Sequence, residues 1–218
     1  MEDLTTLPAA QLAPEDVARA GFYGVMARLL LQPTPELVAL LAQQPVPAPC
    51  TDGPDDLPTS WCRLVEASRE HGFEAIAASH EALFVALGTP PVNPFGSYYE
   101  PGALMDLPLA ALRQSLARLG LRRVDGTREL EDHLGALCDA LRELIVRGAP
   151  QAEQAAFFQA HLHGWVQRCL DDIATAPGAG FYAALAAFAA QFFAAEALAF
   201  GLEEDLAPVD TATELDPA

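Results

Sequence analysis

Lysine is absent from the 218-residue chain, and all twelve basic residues are arginines. Thirty acidic residues oppose them, so the formal net charge is −18 and the isoelectric point lies near 4.4. Such a chain lacks a basic surface of the kind that binds nucleic acids or anionic lipid headgroups. We therefore expect no nucleic-acid partner. A positively charged partner fits better, because opposite charge speeds encounter.

Cysteine is scarce and scattered. The four cysteines, Cys50, Cys62, Cys138 and Cys169, form no CxxC or CxxH pair, which argues against a zinc site or a thioredoxin-like redox site. We expect them to be reduced and structural. The first residues show no basic stretch followed by an apolar run, so the expected location is the cytoplasm.

Strand signals are also missing. The chain has only three isoleucines, and no segment alternates apolar and polar residues over six positions. Helical spacing recurs throughout, which predicts an all-α, bundle-like domain of about seven or eight helices with two Pro-rich loops. In the first helix we expect Val17, Ala20, Gly21, Val25 and Leu29 to share one face. The predicted helices span about 14–32, 35–42, 60–71, 73–87, 106–119, 128–147, 151–174 and 181–200.

Residues 173–195 carry no charge, which raises the question of a membrane span. Pro177, Gly178 and Gly180 interrupt the segment, and neither flank is rich in basic residues. A buried, Ala-rich helix without stable membrane insertion is the better interpretation.

We expect one helical domain over residues 1–202, with an optional division into halves 1–125 and 126–202 joined by a hinge. An acidic tail, 203–218, is expected to be disordered.

Two further stretches combine features of loops and of sites. The Pro- and Gly-rich interval 88–102 is too rich in helix breakers for regular structure, yet it contains Phe95, Tyr98 and Tyr99. Long loops with several aromatic residues are often packed or binding loops. The cluster Glu129, Glu131, Asp132 and His133 has the composition of a helix first turn, where carboxylates face the positive end of the dipole.

The sequence contains no pattern typical of an enzyme site. It has no Gly-rich phosphate loop, no HExxH and no pair of Glu-x-x-His motifs. His161 and His163 lie two residues apart and would face away from each other on a helix, with Trp165 in the core. We therefore predict no catalytic residue, no metal site and no cofactor of its own.

Taken in order, several short segments over residues 75–195 resemble the TorD/DmsD/NarJ family of redox-enzyme maturation chaperones. They are Leu83-Phe84, Pro91 to Tyr99, Leu112 to Gln114, Glu129 to His133, His161-Leu162 with Trp165, and Phe181-Tyr182 with Leu185. The family's Glu-Pro-x-Asp-His signature has Leu130 here in place of proline. Phe95 stands where the family has tryptophan after the loop proline, and Gly164 replaces a common proline before Trp165.

This resemblance implies a cytoplasmic chaperone without turnover. Its partner would be the apo catalytic subunit of a molybdoenzyme, bound through a twin-arginine signal peptide, with cofactor insertion preceding export or assembly. A homodimer formed by domain swapping is a further option. The implied client-binding residues are Phe95, Gly96, Ser97, Tyr98, Tyr99, Glu129, Glu131, Asp132, His133, His161 and Trp165. The alternatives are an acidic adaptor for a basic partner and a hydrolase that uses Asp132 and His133.

If Asp132 lies in a helix first turn, Asp132→Ala should weaken client binding with little loss of stability. A carboxylate in that position contributes about 0.3–1 kcal/mol.

Overall fold

The computed structural model describes residues 12–46, 56–85, 89–100, 107–121 and 130–202. These residues form nine α-helices and no strand, which confirms the all-α prediction. The acidic tail and Glu129 lie outside the described residues. The helices are α1 (Pro14–Leu31), α2 (Pro35–Ala42), α3 (Leu57–His80), α4 (Gly96–Tyr99), α5 (Leu107–Arg118), α6 (Leu134–Val146), α7 (Gln151–Phe158), α8 (Val166–Thr175) and α9 (Phe181–Ala199), with π-helical turns at Glu81–Val85 and Gln159–His163.

Capping residues explain where the early helices begin. Pro14 occupies the first turn of α1, followed by Glu15 and Asp16 at the positive end of the helix dipole. The Thr34 hydroxyl accepts the backbone N–H of Leu37 at the start of α2, and the Asp56 carboxylate accepts that of Thr59 in α3. These helices begin within about three residues of their predicted starts.

Gly72 divides α3 where the sequence predicted a break between two helices. Its backbone has φ 67° and ψ 170°, a conformation that glycine adopts without the steric penalty of a side chain. The helix axis therefore changes direction at this point, and α3 packs on both α2 and α9.

The apolar helix α9 lies in the core. It is long and apolar enough to cross a membrane by length and composition, with a mean hydropathy of 1.5. It packs against α3 and α8, and it buries ten residues, including Phe181, Tyr182 and Phe188. Helix α9 is therefore a core helix, as its apolar, Ala-rich sequence predicted.

Helix α1 packs on α6, and the predicted face is buried only in part. Ala20 and Leu29 are buried as predicted, whereas Val17 is 57% exposed. Other residues, Tyr23, Met26, Ala27 and Leu30, are buried as well. Helix α1 is apolar on several sides, so its spacing alone could not select the face. Gly135 in α6 permits the close approach, because a Cβ there would lie 2.8 Å from Leu31 Cγ and 3.0 Å from the Ala27 carbonyl oxygen.

The prediction of one helix over 151–174 is wrong. The helix gives way to a π-helical turn and then stops at Trp165, whose φ of −140° lies outside the helical region. The Trp165 indole N–H donates to the carbonyl oxygen of His161 at 2.7 Å. This hydrogen bond lies where the π-helical turn Gln159–His163 ends, and α8 begins at Val166.

One cysteine also differs from the expectation of reduced thiols. Cys62 is disulfide-bonded. Cys138 and Cys169 are free and buried, and burial raises the pKa of both thiols, that of Cys169 to about 12. These two cysteines are therefore neutral core residues at physiological pH.

Candidate functional site: an acidic pocket between the aromatic loop and the turn before α6

The aromatic loop pairs with the acidic stretch that precedes α6. The Gly96 N–H donates to the Asp132 carbonyl oxygen at 2.9 Å, and the Leu134 N–H donates to that of Pro94 at 2.8 Å. Phe95 and His133 thus form an isolated antiparallel bridge. The structure therefore brings together two segments that the resemblance had assigned to one site.

Asp132 precedes helix α6 instead of lying in its first turn. Helix α6 begins at Leu134, and residues 131 and 132 form a turn, so the predicted start near residue 128 is wrong for the described part of this stretch. The Asp132 Oδ2 accepts the backbone N–H of Ser97 at 2.9 Å and so caps the short helix α4. Its Oδ1 is buried and has no hydrogen-bond partner among the described residues.

This geometry changes the expectation for Asp132→Ala. The residue is only 5% exposed, and its loss would leave the Ser97 N–H without its acceptor. An unsatisfied buried donor costs about 1–3 kcal/mol. Asp132→Ala is therefore expected to destabilise the fold as well as to affect binding. Asp132→Asn, which retains an acceptor oxygen, is the better variant for binding experiments.

His133 caps helix α6. Its Nδ1 accepts the backbone N–H of Gly135 at 3.0 Å, so the neutral ring carries its proton on Nε2. The ring also meets Phe95 edge-on, with centroids 5.0 Å apart. His133 is only 4% exposed, and these contacts hold the turn that positions Asp132.

A second set of contacts joins helix α4 to α8. The Tyr99 ring stacks on Trp165 with an interplanar angle of 10°, and the Tyr99 hydroxyl donates to Asp172 Oδ2 at 2.7 Å. Burial is the largest cause that raises the pKa of Tyr99, so the hydroxyl remains protonated. Tyr98, in contrast, is 64% exposed. Tyr98 is thus the more exposed of the two rings, and Tyr99 is partly buried.

Gly96 lets the loop lie flat on Trp165. A Cβ at residue 96 would come within 3.1–3.2 Å of three atoms of the indole ring, closer than ordinary van der Waals contact. Trp165 itself is 1% exposed, as predicted for a core residue. It therefore forms a rigid floor beneath the loop.

These elements surround a small pocket with about 220 Å³ of empty space, including its opening to solvent. Its enclosed part has room for roughly one water molecule. The pocket itself cannot hold a peptide segment. It is lined by Gly96, Ser97, Glu100, Pro108, Leu112, Asp132, His161 and Trp165.

Three ionisable groups face this pocket. Burial, and then the charge of Asp132, raise the pKa of Glu100 above its ordinary value, while Arg168 acts in the opposite direction. Burial, and then the positive charge of Arg118, lower the pKa of His161. The His161 Nε2 atom is buried and has no hydrogen-bond partner within the part of the chain that the structure describes. The pocket is thus acidic and has unused acceptor capacity.

A family model described as nitrate reductase delta subunit matches residues 52–171, more than half of the chain. The chain belongs to the nitrate reductase delta subunit family. This is a family of chaperones for molybdoenzyme maturation, and the finding confirms the resemblance seen in the sequence. A comparison with curated proteins found no match. The matched segment contains every predicted site residue, from Phe95 to Trp165.

In this delta-family chain, Glu131 faces α5 instead of the pocket. Arg113 Nε and Nη2 donate to its two carboxylate oxygens at 3.2 and 3.1 Å. Glu131 therefore anchors α5 beside the site. No group of three or more His, Cys, Asp or Glu side chains in the described ranges is arranged to hold a metal ion.

Glu100, Pro108 and Leu112 line the pocket, but sequence reasoning did not select them as site residues. Glu100 directly follows Tyr99 in the aromatic loop, so its position in the chain was an available signal. Leu112 belongs to one of the segments that carry the family resemblance. Pro108 had no signal beyond its place at the start of a predicted helix.

Proposed function

We propose that this protein is a client-specific chaperone that binds the apo catalytic subunit of a molybdenum-cofactor oxidoreductase through its twin-arginine signal peptide. It acts in the cytoplasm, has no turnover and assists cofactor insertion before export or assembly. The observation that carries the proposal is the paired loop and turn around an acidic pocket, all within the segment that matches the family model.

Several exposed apolar residues lie next to pocket residues in the sequence. Tyr98 and Leu107 are 64% and 69% exposed, and each is the immediate neighbour of a pocket residue, Ser97 and Pro108 respectively. Leu130, two residues before Asp132, is 42% exposed. A twin-arginine signal peptide offers two guanidinium groups followed by an apolar stretch. The acidic pocket and these apolar side chains supply both kinds of complementary surface.

The magnitudes indicate which part dominates affinity. Two solvent-exposed arginine–carboxylate pairs contribute about 0.4–2 kcal/mol together, whereas micromolar binding needs about 8 kcal/mol. At about 25 cal/mol per Å², burial of some 300 Å² of apolar surface would supply that amount before the entropic cost of association. Apolar contact should therefore provide most of the affinity, with charge governing recognition and encounter rate.

The hydrolase alternative finds no support in the arrangement of Asp132 and His133. Asp132 Oδ2 and His133 Nδ1 each accept a backbone N–H, from Ser97 and Gly135 respectively. A catalytic Asp–His pair would use these atoms to hold one another. Both side chains instead position the loop and the start of α6.

A domain-swapped homodimer stays a prediction.

The expected behaviour of a signal-peptide titration follows from these magnitudes. Affinity should fall only modestly between low and moderate salt, because screening affects mainly exposed charge. It should collapse when leucines of the apolar stretch are replaced by serines. Isothermal titration calorimetry with the full-length protein measures both effects.

A peptide with both arginines replaced by glutamines is the matched control, since it retains the apolar stretch. Strong salt dependence combined with indifference to the serine substitutions would show that charge dominates. No binding by the unmodified peptide would direct the search to another segment of the client.

A further inference from the structure

The outer face of α9 carries no charged residue. Ten residues of the helix are buried, and at 3.6 residues per turn most of the others fall together on the opposite side. The Leu198 side chain is 79% exposed, more than any other large apolar side chain in the described ranges. The face consists of Ala183, Ala184, Ala187, Ala190, Gln191, Ala194, Ala195 and Leu198. Because the solvent side of a helix is usually charged or polar, this face has the character of a contact surface.

Two aromatic side chains extend the apolar face onto neighbouring helices. Phe22 of α1 and Trp61 of α3 are only partly buried, and each packs on Phe188 of α9 with ring centroids 5.2 Å apart. The rings of Phe22 and Trp61 also lie 5.1 Å from each other. Phe188 is three residues from Gln191 and four from Ala184, so it neighbours both on the helix surface. The apolar face is therefore broader than a row of small residues.

The order of side chains along this face matches its own reverse. When two copies of α9 lie antiparallel about a two-fold axis at Gln191, Leu198 of one copy lies opposite Ala184 of the other. Ala187 then lies opposite Ala194, so small side chains meet between the large ones. Gln191 meets its own counterpart, and its amide group both donates and accepts hydrogen bonds. Such reciprocal contacts are those of a two-fold symmetric interface.

Charge favours a second copy over a cationic polypeptide as the partner of this face. The chain carries a net charge of −18, so two copies repel each other least where their contact surface contains no carboxylate. An arginine-bearing peptide, in contrast, gains no ion pair from alanine, leucine or glutamine side chains. The face is thus suited to the one partner that the rest of the surface repels.

The size of the face limits the strength of the contact. From Ala183 to Leu198 the helix rises about 22 Å, and with a width of about 10 Å it has a footprint of roughly 200 Å² before the aromatic edge is added. A stable interface buries about 800 Å² on each partner. We therefore expect a weak, reversible dimer with a dissociation constant between about 10 μM and about 1 mM.

We propose that the outer face of α9, with Phe22 and Trp61 at its edge, is the interface of a weak two-fold homodimer in which the two α9 helices pack antiparallel. No element is exchanged between the copies, which distinguishes this dimer from a domain-swapped one. The residues that line the pocket described above include none from α1, α3 or α9. Each copy therefore keeps its own pocket, and the inference does not depend on the identity of the client.

Sedimentation velocity of the full-length protein between about 5 μM and about 1 mM tests the proposal. The mean mass should rise from that of the 23.2 kDa monomer towards twice that value. Ala187→Glu places a carboxylate at the centre of the contact and should weaken self-association about tenfold or more. Leu198→Asn should weaken it as well. Ala39→Glu on α2 adds the same charge at another exposed position and should leave self-association unchanged.

Glutamate is a good helix former, so the circular dichroism of Ala187→Glu should match that of the unmodified protein. A mixture of two variants tests the antiparallel arrangement. Ala187→Glu and Ala194→Arg should each associate more weakly alone, whereas an equimolar mixture should recover association, because the opposite charges then face each other. In a parallel pair these two positions would not meet, and mixing would restore nothing.

Three results would overturn the proposal. The first is a monomer at every concentration up to about 1 mM. The second is self-association that Ala187→Glu and Leu198→Asn leave unchanged, as a domain-swapped dimer would show. The third is equal weakening by Ala187→Glu and Ala39→Glu, which would show that added charge acts without regard to position. No client is present in these experiments, so they leave the proposed chaperone function to its own tests.

Discussion

Glu196→Ala is expected to lower the free energy of unfolding by about 3–5 kcal/mol, the usual effect of removing one partner of a buried ion pair. Arg19 Nε and Nη2 donate to the two Glu196 oxygens at 2.7 and 2.8 Å. The Tyr23 hydroxyl donates to the same carboxylate at 2.9 Å. Burial, and then the charge of Glu196, raise the pKa of Tyr23, so this donor stays protonated.

The loss is large because the pair is enclosed. The side chains of Arg19 and Glu196 are 19% and 5% exposed, and Arg19 also donates to Gln154 Oε1 at 2.9 Å. This network joins α1, α7 and α9, so alanine at residue 196 leaves a partly buried guanidinium without its main counter-charge, with Asp16 at 2.8 Å as the remaining one. For a chain of this length the melting temperature should fall by about 6–20 °C.

Thermal unfolding followed by circular dichroism measures this effect, with Asp139→Ala as the control. Asp139 pairs with Arg142 on the surface and its side chain is 62% exposed, so its loss should cost less than about 1 kcal/mol. Replacing both partners, Arg19→Met with Glu196→Leu, should recover much of the stability. Equal melting temperatures for the two single alanine variants would show that the network contributes little.

Trp165→Ala is the second variant with a large expected effect, a loss of about 3–5 kcal/mol. Trp165 is fully enclosed, stacks on Tyr99 and lies directly beneath Gly96. Alanine would open a cavity under the loop, remove the floor of the pocket and leave the His161 carbonyl oxygen without its donor. Both stability and client binding should therefore fall.

Chemical denaturation at equilibrium measures the change in the free energy of unfolding. Tyr98→Ala, in the same loop, is the matched control. Tyr98 is 64% exposed, and substitutions at exposed positions usually change stability by less than about 0.5 kcal/mol. Trp165→Phe, which keeps a ring under Gly96, should lie between the two. A Trp165→Ala variant as stable as Tyr98→Ala would mean that the indole does not support the loop.

Local signals in the sequence were sufficient to predict where several helices begin or end. Pro14, Pro33 and the Thr34-Pro35 pair delimit α1 and α2, because proline restricts the backbone around it whatever the tertiary fold. Gly72 marked the break in α3 for a similar reason. Helix α9 was recognised as a buried helix because it is apolar on all sides.

Features that depend on distant contacts were not predictable in this way. Asp132 caps a helix 35 residues earlier in the chain, so its acidic surroundings were mistaken for a first turn. The helix break at Trp165 accompanies an indole packed under Gly96. The Arg19–Glu196 pair spans 177 residues. The family resemblance named two segments that pair in the structure, while Glu100 was not selected although it directly follows Tyr99 in the sequence.

Affinity purification of the tagged full-length protein from its own cells, followed by mass spectrometry, tests the central claim most directly. The account predicts that the catalytic subunit of a molybdenum-cofactor oxidoreductase is recovered without its cofactor and with its signal peptide intact. It also predicts a reduced yield with Glu100→Gln and an unchanged yield with Asp139→Asn. Recovery of no such subunit, or of only the mature cofactor-loaded enzyme, would contradict the account.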